Sequence, residues 1–472
     1  MERGCGVVLL ALIPLVCGVR AAELPHRIDA LIDSNPLVQR ANIGIHVVDL
    51  KSARALYARN EGHFFLPASN MKLFTTALAL EKLGADHRFV TRLVRDASGD
   101  LVLVGSGDPS MNGRAYPYQR DDRGGRALAA IEDLADQAVA SGLREVRGDI
   151  VGDDRLFSWA PYPPSWTQDD AVHESGAPVS ALSVADNIVT ITIAPGASAG
   201  ELARLSLAPP LEYFAIDNRI ATVAGGGPPE IHVERSPGSR QILLSGTIPL
   251  KSGAVREQAG MDDPGLYAAN ALLEALTRRG VRVRGRATAL HRAGGQDYSP
   301  ASGEAVAVRT SPPLSQLLQL LDKVSENLHA EMMLRSAGGL EAMNSFLAGL
   351  GATPGDSRID DGSGLSRNDQ VTPKLVTRLL AHMYKSSHRD LWIAMLPVGG
   401  EDGTLSRRLC CSEEAHSIHA KTGTLARSIA LSGYAESKTH GWLAFSILVN
   451  NFSASASEVQ AWVDRIALSL VE

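Results

Sequence analysis

Apolar residues alternate through residues 43–48 and resume at 55–57 across a polar turn at 49–54, a pattern that predicts a β-hairpin. Beyond Pro67 the period changes. Met71, Leu73, Phe74, Ala77, Leu78 and Leu80 predict a helix over 69–82, buried over much of its surface. From about 90 to 300, short apolar or alternating runs at 101–104, 188–193, 231–233 and 242–244 are punctuated by Gly and Pro, with loops at 159–164 and 225–229. That texture predicts one or two β-rich modules with a few helices, at 127–140 and at 266–279. The second helix is closed by Gly280 and followed by a strand-like 281–283. After residue 300 the pattern is more helical, at 314–321, 327–335 and 373–384. Two strands at 428–434 and 442–450, joined by a polar turn at 436–441, and a closing helix at 454–470 complete it. The fold class expected is α/β: a sheet covered by helices, assembled from both ends of the chain, with a large β-rich insertion.

A chain of 472 residues is too long for one compact core and predicts two or three domains. Its 44% apolar and 21% charged residues fit a soluble globular protein. Residues 1–21 stand apart. Glu2 and Arg3 precede an apolar run at 7–17 too short to span a bilayer, and Val19-Arg20-Ala21 supplies a small-residue cleavage site, so this is read as a secretory signal. Cys17 suggests a lipid anchor, but Pro14-Leu15-Val16 lacks the small residue expected before such a cysteine. Cleavage removes two arginines and one glutamate, moving the formal charge from -6 to -7. A mildly acidic chain with no basic run argues against nucleic-acid binding. Cys410 and Cys411 remain after cleavage; adjacent, they form no ordinary disulfide framework and are expected as thiols rather than a vicinal bridge. His416 and His419 lie close to them without a carboxylate-bearing zinc pattern, so neither metal nor cofactor is expected.

Three polar clusters carry the chemistry: Ser69-Asn70-Met71-Lys72, Ser325-Glu326-Asn327 and Lys421-Thr422-Gly423-Thr424. On a helix the spacing of Ser69 and Lys72 puts both side chains on one face, within roughly 5–6 Å at Cβ, which suits proton removal from the hydroxyl by the amine. An ordinary lysine titrates near ~10.4, so Lys72 serves as a base only where burial or a nearby cation such as Lys421 favours its neutral form. Ser325 offers a hydroxyl that passes a proton toward a leaving amine, and Asn327 offers an amide to fix Lys72 or a substrate. Lys421-Thr422-Gly423, ahead of the strand-like run at 428–434, would engage a substrate carboxylate. Gly423 permits backbone approach, and the Thr424 N–H stands opposite that of Ser69 as an oxyanion donor. Each cluster alone reads equally as a helix cap or a solvated turn; their conjunction in this order does not.

The three signatures Ser-x-x-Lys, Ser-x-Asn and Lys-Thr-Gly are those of penicillin-interacting serine enzymes. With Gly105-Ser106-Gly107-Asp108-Pro109, the stretch 176–184, Asp361-Gly362-Ser363-Gly364-Leu365-Ser366-Arg367, Leu396-Pro397 and Asp402-Gly403-Thr404-Leu405, the chain resembles the class C penicillin-binding proteins, the D-alanyl-D-alanine carboxypeptidase/endopeptidase family S13. The likeness spans about residues 40–450. It implies a penicillin-binding serine transpeptidase/β-lactamase-like domain made of residues 22–90 and 291–472. A β-rich insertion, 91–290 and two subdomains by expectation, fills most of the 252 residues between Lys72 and Ser325. It implies Ser69 as acylated nucleophile, Lys72 as its base, Ser325 and Asn327 on the proton-transfer edge, and Lys421, Thr422, Gly423 and Thr424 around the substrate carboxylate and oxyanion. It also implies that Asp153 and Arg367 flank a pocket for the amino end of a peptidoglycan stem side chain. The partners implied are peptidoglycan stem peptides and, as covalent ligands, β-lactam antibiotics, in an exported protein of the periplasm or cell envelope. Peripheral membrane association and oligomeric state are left open. A serine β-lactamase or esterase on the same core and a non-catalytic wall-binding protein stand as alternatives. No separate deacylating glutamate is assignable from the chain.

Overall fold

The computed structural model describes residues 23–472 apart from 37, 123 and 411. The expected signal at 1–21 with its Cys17, and Cys411, lie outside the described residues; Cys410 is exposed. The main sheet is antiparallel, in the spatial order Ile418–Leu425, Ser428–Ser437, Gly441–Asn450, Asn42–Asp49, Ala55–Arg59. Its central pairing runs from Asn42 against Asn450 to Asp49 against Leu443, so the first strand of the fold is zipped to the last.

Strand alternation sends side chains to two cores. Ala430, Tyr434, Ala444 and Leu448 face one core, built with Phe74, Leu78, Leu317, Leu321, Leu379 and Trp392. Ile429, Leu431, Phe445, Ile447 and Val449 face the other, with Ile28, Ile32, Trp462, Val463 and Ile466 from the helices Leu24–Asp33 and Ala456–Ser469. In the helix Met71–Leu83 every residue from Met71 to Leu80 is buried, the all-round burial expected of an internal helix.

Within the middle of the chain, a five-stranded mixed sheet has the order Ala287–Arg292, Ile150–Ser158, Leu101–Val104, Val90–Arg95, Glu304–Thr310. The helices Ala129–Ala140 and Pro264–Arg278 cover it through Ile131, Leu134, Leu272 and Leu276. A second module packs two three-stranded sheets around Ile191, Ile193, Ile220, Ile242, Leu244 and Ile248. Within the first module His291 stacks on Trp159 with ring centroids 3.8 Å apart and bonds Asp154 at 2.9 Å and Asp263, the cap of the helix Pro264–Arg278, at 3.2 Å.

The pattern-based elements recur with shifts at their ends. One goes further than expected: Lys421 to Thr424 precede the strand Ser428–Ser437, and they also lie inside a strand of their own, the sheet's edge strand Ile418–Leu425. Polar residues on its inner side hid that strand from a hydrophobic pattern, since Lys421 is fully buried there. The helices Gly339–Gly349 and Arg389–Met395 are additional to the elements expected from the pattern. Among the described residues no helix is long and apolar enough to cross a membrane.

Candidate active site

Ser69 sits in the single turn Ala68–Asn70 that leads into the helix Met71–Leu83. The turn is tightly held. Ala68 has φ 46, a left-handed value that a non-glycine residue keeps only when its surroundings impose it. Two glycines let those surroundings close in: a Cβ on Gly364 would lie 1.9 Å from the Ala68 carbonyl oxygen, and one on Gly423 would lie 2.8 Å from that of Pro67. The loop carrying Gly364 and the edge strand carrying Gly423 therefore clamp the serine turn from two sides.

Lys72 is fully buried, and its Nζ meets three oxygens: Ser69 Oγ at 3.0 Å, Asn327 Oδ1 at 2.6 Å and the Ser363 carbonyl at 2.7 Å. Asn327 Oδ1 and the Ser363 carbonyl are acceptors only. A neutral amine has two N–H groups and one lone pair, so those two oxygens take both donors and the lone pair is left facing the Ser69 hydroxyl. Burial pushes Lys72 down to about 8, against the opposing pull of Asp361, Glu326, Glu331 and Asp322.

Ser325 and Asn327 flank the junction of the helices Leu314–Val324 and Asn327–Ser336. Lys421 Nζ donates to Ser325 Oγ at 2.7 Å and to the Thr422 carbonyl at 3.1 Å, and Asn70 Nδ2 donates to the Lys421 carbonyl at 2.9 Å. Burial and then the Lys72 charge push Lys421 down to about 7, while Asp322 pulls the other way. Asp322 itself is fully buried, which raises its carboxyl to about 7 in spite of Lys421, Lys72 and Lys323. Thr422 Oγ1 donates to Thr404 Oγ1 at 2.8 Å, and Thr424 is exposed, its Oγ1 accepting from Gln460 at 3.2 Å. Ala420 N–H points outward to the Pro397 carbonyl, so alternation turns the N–H groups of Thr422 and Thr424 to the same open side of the strand. A peptide laid along that edge would meet them.

The loop after Asp361 is organised by buried carboxylates. Asp361 accepts from the backbone of Gly364 and Ser366 and from Trp166 Nε1, and Glu331 Oε1 accepts from the backbone of both Gly362 and Ser363 at 2.8 Å. These bonds aim the Ser363 carbonyl at Lys72. Beyond its family likeness, the stretch alternates an aspartate with glycines and serines, which is the sequence signal of such a self-bonded loop.

The structure thus gathers Ser69, Lys72, Ser325, Asn327, Lys421 and Thr422 at one place, with Gly423 and Thr424 on the adjoining edge. Arg367, at the end of the 361–367 loop, is half-exposed and paired with Asp170, NH2 to Oδ1 3.0 Å with a second, shorter contact. Asp170 is five residues before Ser175, whose carbonyl accepts from Asn327 Nδ2 at 2.8 Å. Asp153, expected to flank the same pocket as Arg367, is paired elsewhere in this structure. Its carboxylate is closed to solvent and both oxygens are held by Arg155, at 2.8 and 2.7 Å. The acid beside Arg367 is Asp170, for which two adjacent aspartates outside any motif gave no signal in the sequence. Among the described residues no group of three or more His, Cys, Asp or Glu is placed to hold a metal ion.

Residues 24–469 match the D-Ala-D-Ala carboxypeptidase 3 (S13) family. A D-alanyl-D-alanine carboxypeptidase of an Actinomadura species is 34% identical over 100% of this chain and 90% of its own length. The crystal structure of penicillin binding protein 4 from Haemophilus influenzae shares the fold, with a TM-score of 0.79 at 21% identity over 94% of this chain and 97% of that one. A predatory peptidoglycan endopeptidase of Bdellovibrio bacteriovorus has a TM-score of 0.51 at 18% identity over 92% and 94%.

Proposed function

Because this chain belongs to the D-Ala-D-Ala carboxypeptidase 3 (S13) family, we infer that the cleft around Ser69 carries out the family's acyl transfer with the residues gathered there. The protein is a serine-type D-Ala-D-Ala carboxypeptidase and endopeptidase of the bacterial cell envelope that acts on peptidoglycan and is acylated by β-lactams. The geometry supports these residue roles. Neutral Lys72 takes the Ser69 proton as Oγ bonds to the carbonyl carbon of the penultimate D-Ala. The oxygen that becomes negative is met by the N–H groups of Ser69 and Thr424, each such donor being worth roughly 3 kcal/mol. Ser325, polarised by Lys421, passes a proton to the leaving nitrogen as the C–N bond breaks and D-Ala departs, and it is resupplied with the proton Lys72 took from Ser69, which returns Lys72 to its neutral form. Water then attacks the acyl ester, giving its proton to Lys72, and Lys72 returns that proton to Ser69 Oγ as the ester C–O bond breaks, which restores both residues. A β-lactam enters the same path with its amide in place of the peptide bond.

Lys421 and Thr422 hold the terminal carboxylate, and the Arg367–Asp170 pair lines the side of the cleft where the stem side chain lies. The observation that carries the reading is the triple partnership of Lys72, which leaves its lone pair no target except the Ser69 hydroxyl. The test is D-Ala release from a peptide ending in D-Ala-D-Ala. The wild type releases it and Ser69→Ala, still folded, does not; release that persists in the variant would overturn the nucleophile assignment. Rapid turnover of penicillin in the same assay would favour the lactamase reading, and an intact peptide with wild type the non-catalytic one.

A further inference from the structure

The turn Ser325-Glu326 joins two helices in two residues, and its side chains go opposite ways. Ser325 Oγ turns to Lys421, while the Glu326 carboxylate turns to the inserted region, where Arg114 NH2 holds it at 2.8 Å. Ser325 has φ 64, a left-handed backbone that a serine keeps only where neighbours impose it. Arg114 is itself fixed. Its Nε donates to Asp186 at 2.7 Å and its N–H to Asn112 Oδ1 at 2.9 Å; Asp186 accepts from Asn112 at 2.7 Å and lies 3.1 Å from His329 Nε2 on the helix that begins at Asn327. The Glu326 and Asp186 side chains are only 10% and 11% exposed, so each would be a costly lone charge without the guanidinium. The same segment reaches the opposite wall, where Tyr118 OH accepts the Gly403 N–H at 3.1 Å, next to Thr404 and its bond to Thr422.

We propose that Arg114, contributed by the insertion, is a positioning residue for acyl transfer: by pinning Glu326 it holds the Ser325 hydroxyl on Lys421 and the Asn327 carbonyl on Lys72. The insertion is then part of the catalytic machinery rather than a spacer. The charges around this link determine how it is read out. Lys72 is faced by Asp361, Glu326, Glu331 and Asp322, with Lys421 beside it, and the Arg114–Glu326 pair is faced by Asp186, Glu174, His329 and Tyr116. Removing the Glu326 charge takes away a group that favours protonated Lys72. Removing the Arg114 charge leaves Glu326 uncompensated and has the opposite effect.

The inference rests on the assignment of Ser69 and Lys72 above, and the experiment separates the two. The second-order rate of acylation by benzylpenicillin is measured from about pH 6 to about pH 10 for wild type, Arg114→Gln, Arg114→Lys, Glu326→Gln and the double Gln variant, with unfolding midpoints alongside. Each Gln variant is expected to acylate roughly tenfold more slowly, and the double variant no more slowly than the worse single, as for residues acting through one contact. The rising limb of the pH profile moves to lower pH in Glu326→Gln and to higher pH in Arg114→Gln, by about half a unit each, and Arg114→Lys recovers part of the rate. Multiplicative losses, or limbs that stay in place while only the midpoints fall, would overturn the proposal. If Arg114→Gln does not fold, Glu326→Gln and Arg114→Lys decide the matter by the limb shift and the rate. Absence of wild-type labelling at Ser69 would instead defeat the underlying assignment.

Discussion

At Lys72 the chemistry depends on how many acceptors surround one nitrogen. Two oxygens that only accept hydrogen bonds claim the N–H groups of the neutral amine, and burial lowers its pKa to about 8, so the basic form is populated near neutrality and its lone pair has a single target. Acylation should therefore rise with pH through a limb near 8. Lys72→Arg keeps a cation at this position but stays protonated, and should slow acylation by about 10³-fold with no such limb, as stopped-flow or competition labelling will measure. At this scale much was legible. Ser-x-x-Lys, Ser-x-Asn and Lys-Thr-Gly name their own chemistry, and family order supplied their roles. Asp153 was not legible, because a carboxylate spent on Arg155 two residues away and one open to a substrate are the same letter in a sequence.

Elements bring these residues within reach. The 361–367 loop presses on the serine turn at Gly364, whose φ of +80 and missing Cβ let the Ala68 carbonyl come close. Gly364→Ala should both strain the loop and push it off the turn. A loss of about 2 kcal/mol or more in denaturant unfolding is expected, with slower acylation, since Ser363 and its bond to Lys72 move with the loop. Little change in either would mean that the loop adapts and the clamp is not tight. Helices with apolar periodicity were legible to within a few residues of their ends. The edge strand Ile418–Leu425 was not, because the signal for a strand is an apolar inner row and here the buried place is taken by Lys421, stabilised by partners 96 residues and more than 300 residues away in the chain.

For the whole molecule, the consequence of building a site on buried charges is a pH-dependent stability. Burial and Asp361 raise Glu331 from an ordinary 4.5 to about 8, so between those values the folded protein keeps a proton that the unfolded chain releases. The unfolded state binds fewer protons, and stability falls as pH rises through this window. Asp322 and Asp369, also raised, add to the fall, while Lys421 and Lys72, lowered to about 7 and about 8, act in the opposite sense at higher pH. Glu331→Gln keeps the oxygen that accepts from Gly362 and Ser363 but cannot ionise. Its unfolding free energy should fall less than that of wild type between about pH 5 and about pH 8, a comparison in which the other groups cancel. Parallel curves would contradict the shift. At this scale the assembly of the sheet from both chain ends was foreseeable, since its strands lay near each end with a β-rich insertion between. The pairing of residue 42 with 450 and the reach of Arg114 to Glu326 were not, because no local pattern encodes contacts across 212 residues or more.

The most direct test of the central claim is the intact mass of the protein after brief exposure to benzylpenicillin, followed by mapping of the modified peptide. One added penicilloyl group is expected, on the peptide containing Ser69, with slow release and none on Ser69→Ala. A label on any other residue, or an equal label on the variant, would contradict the account.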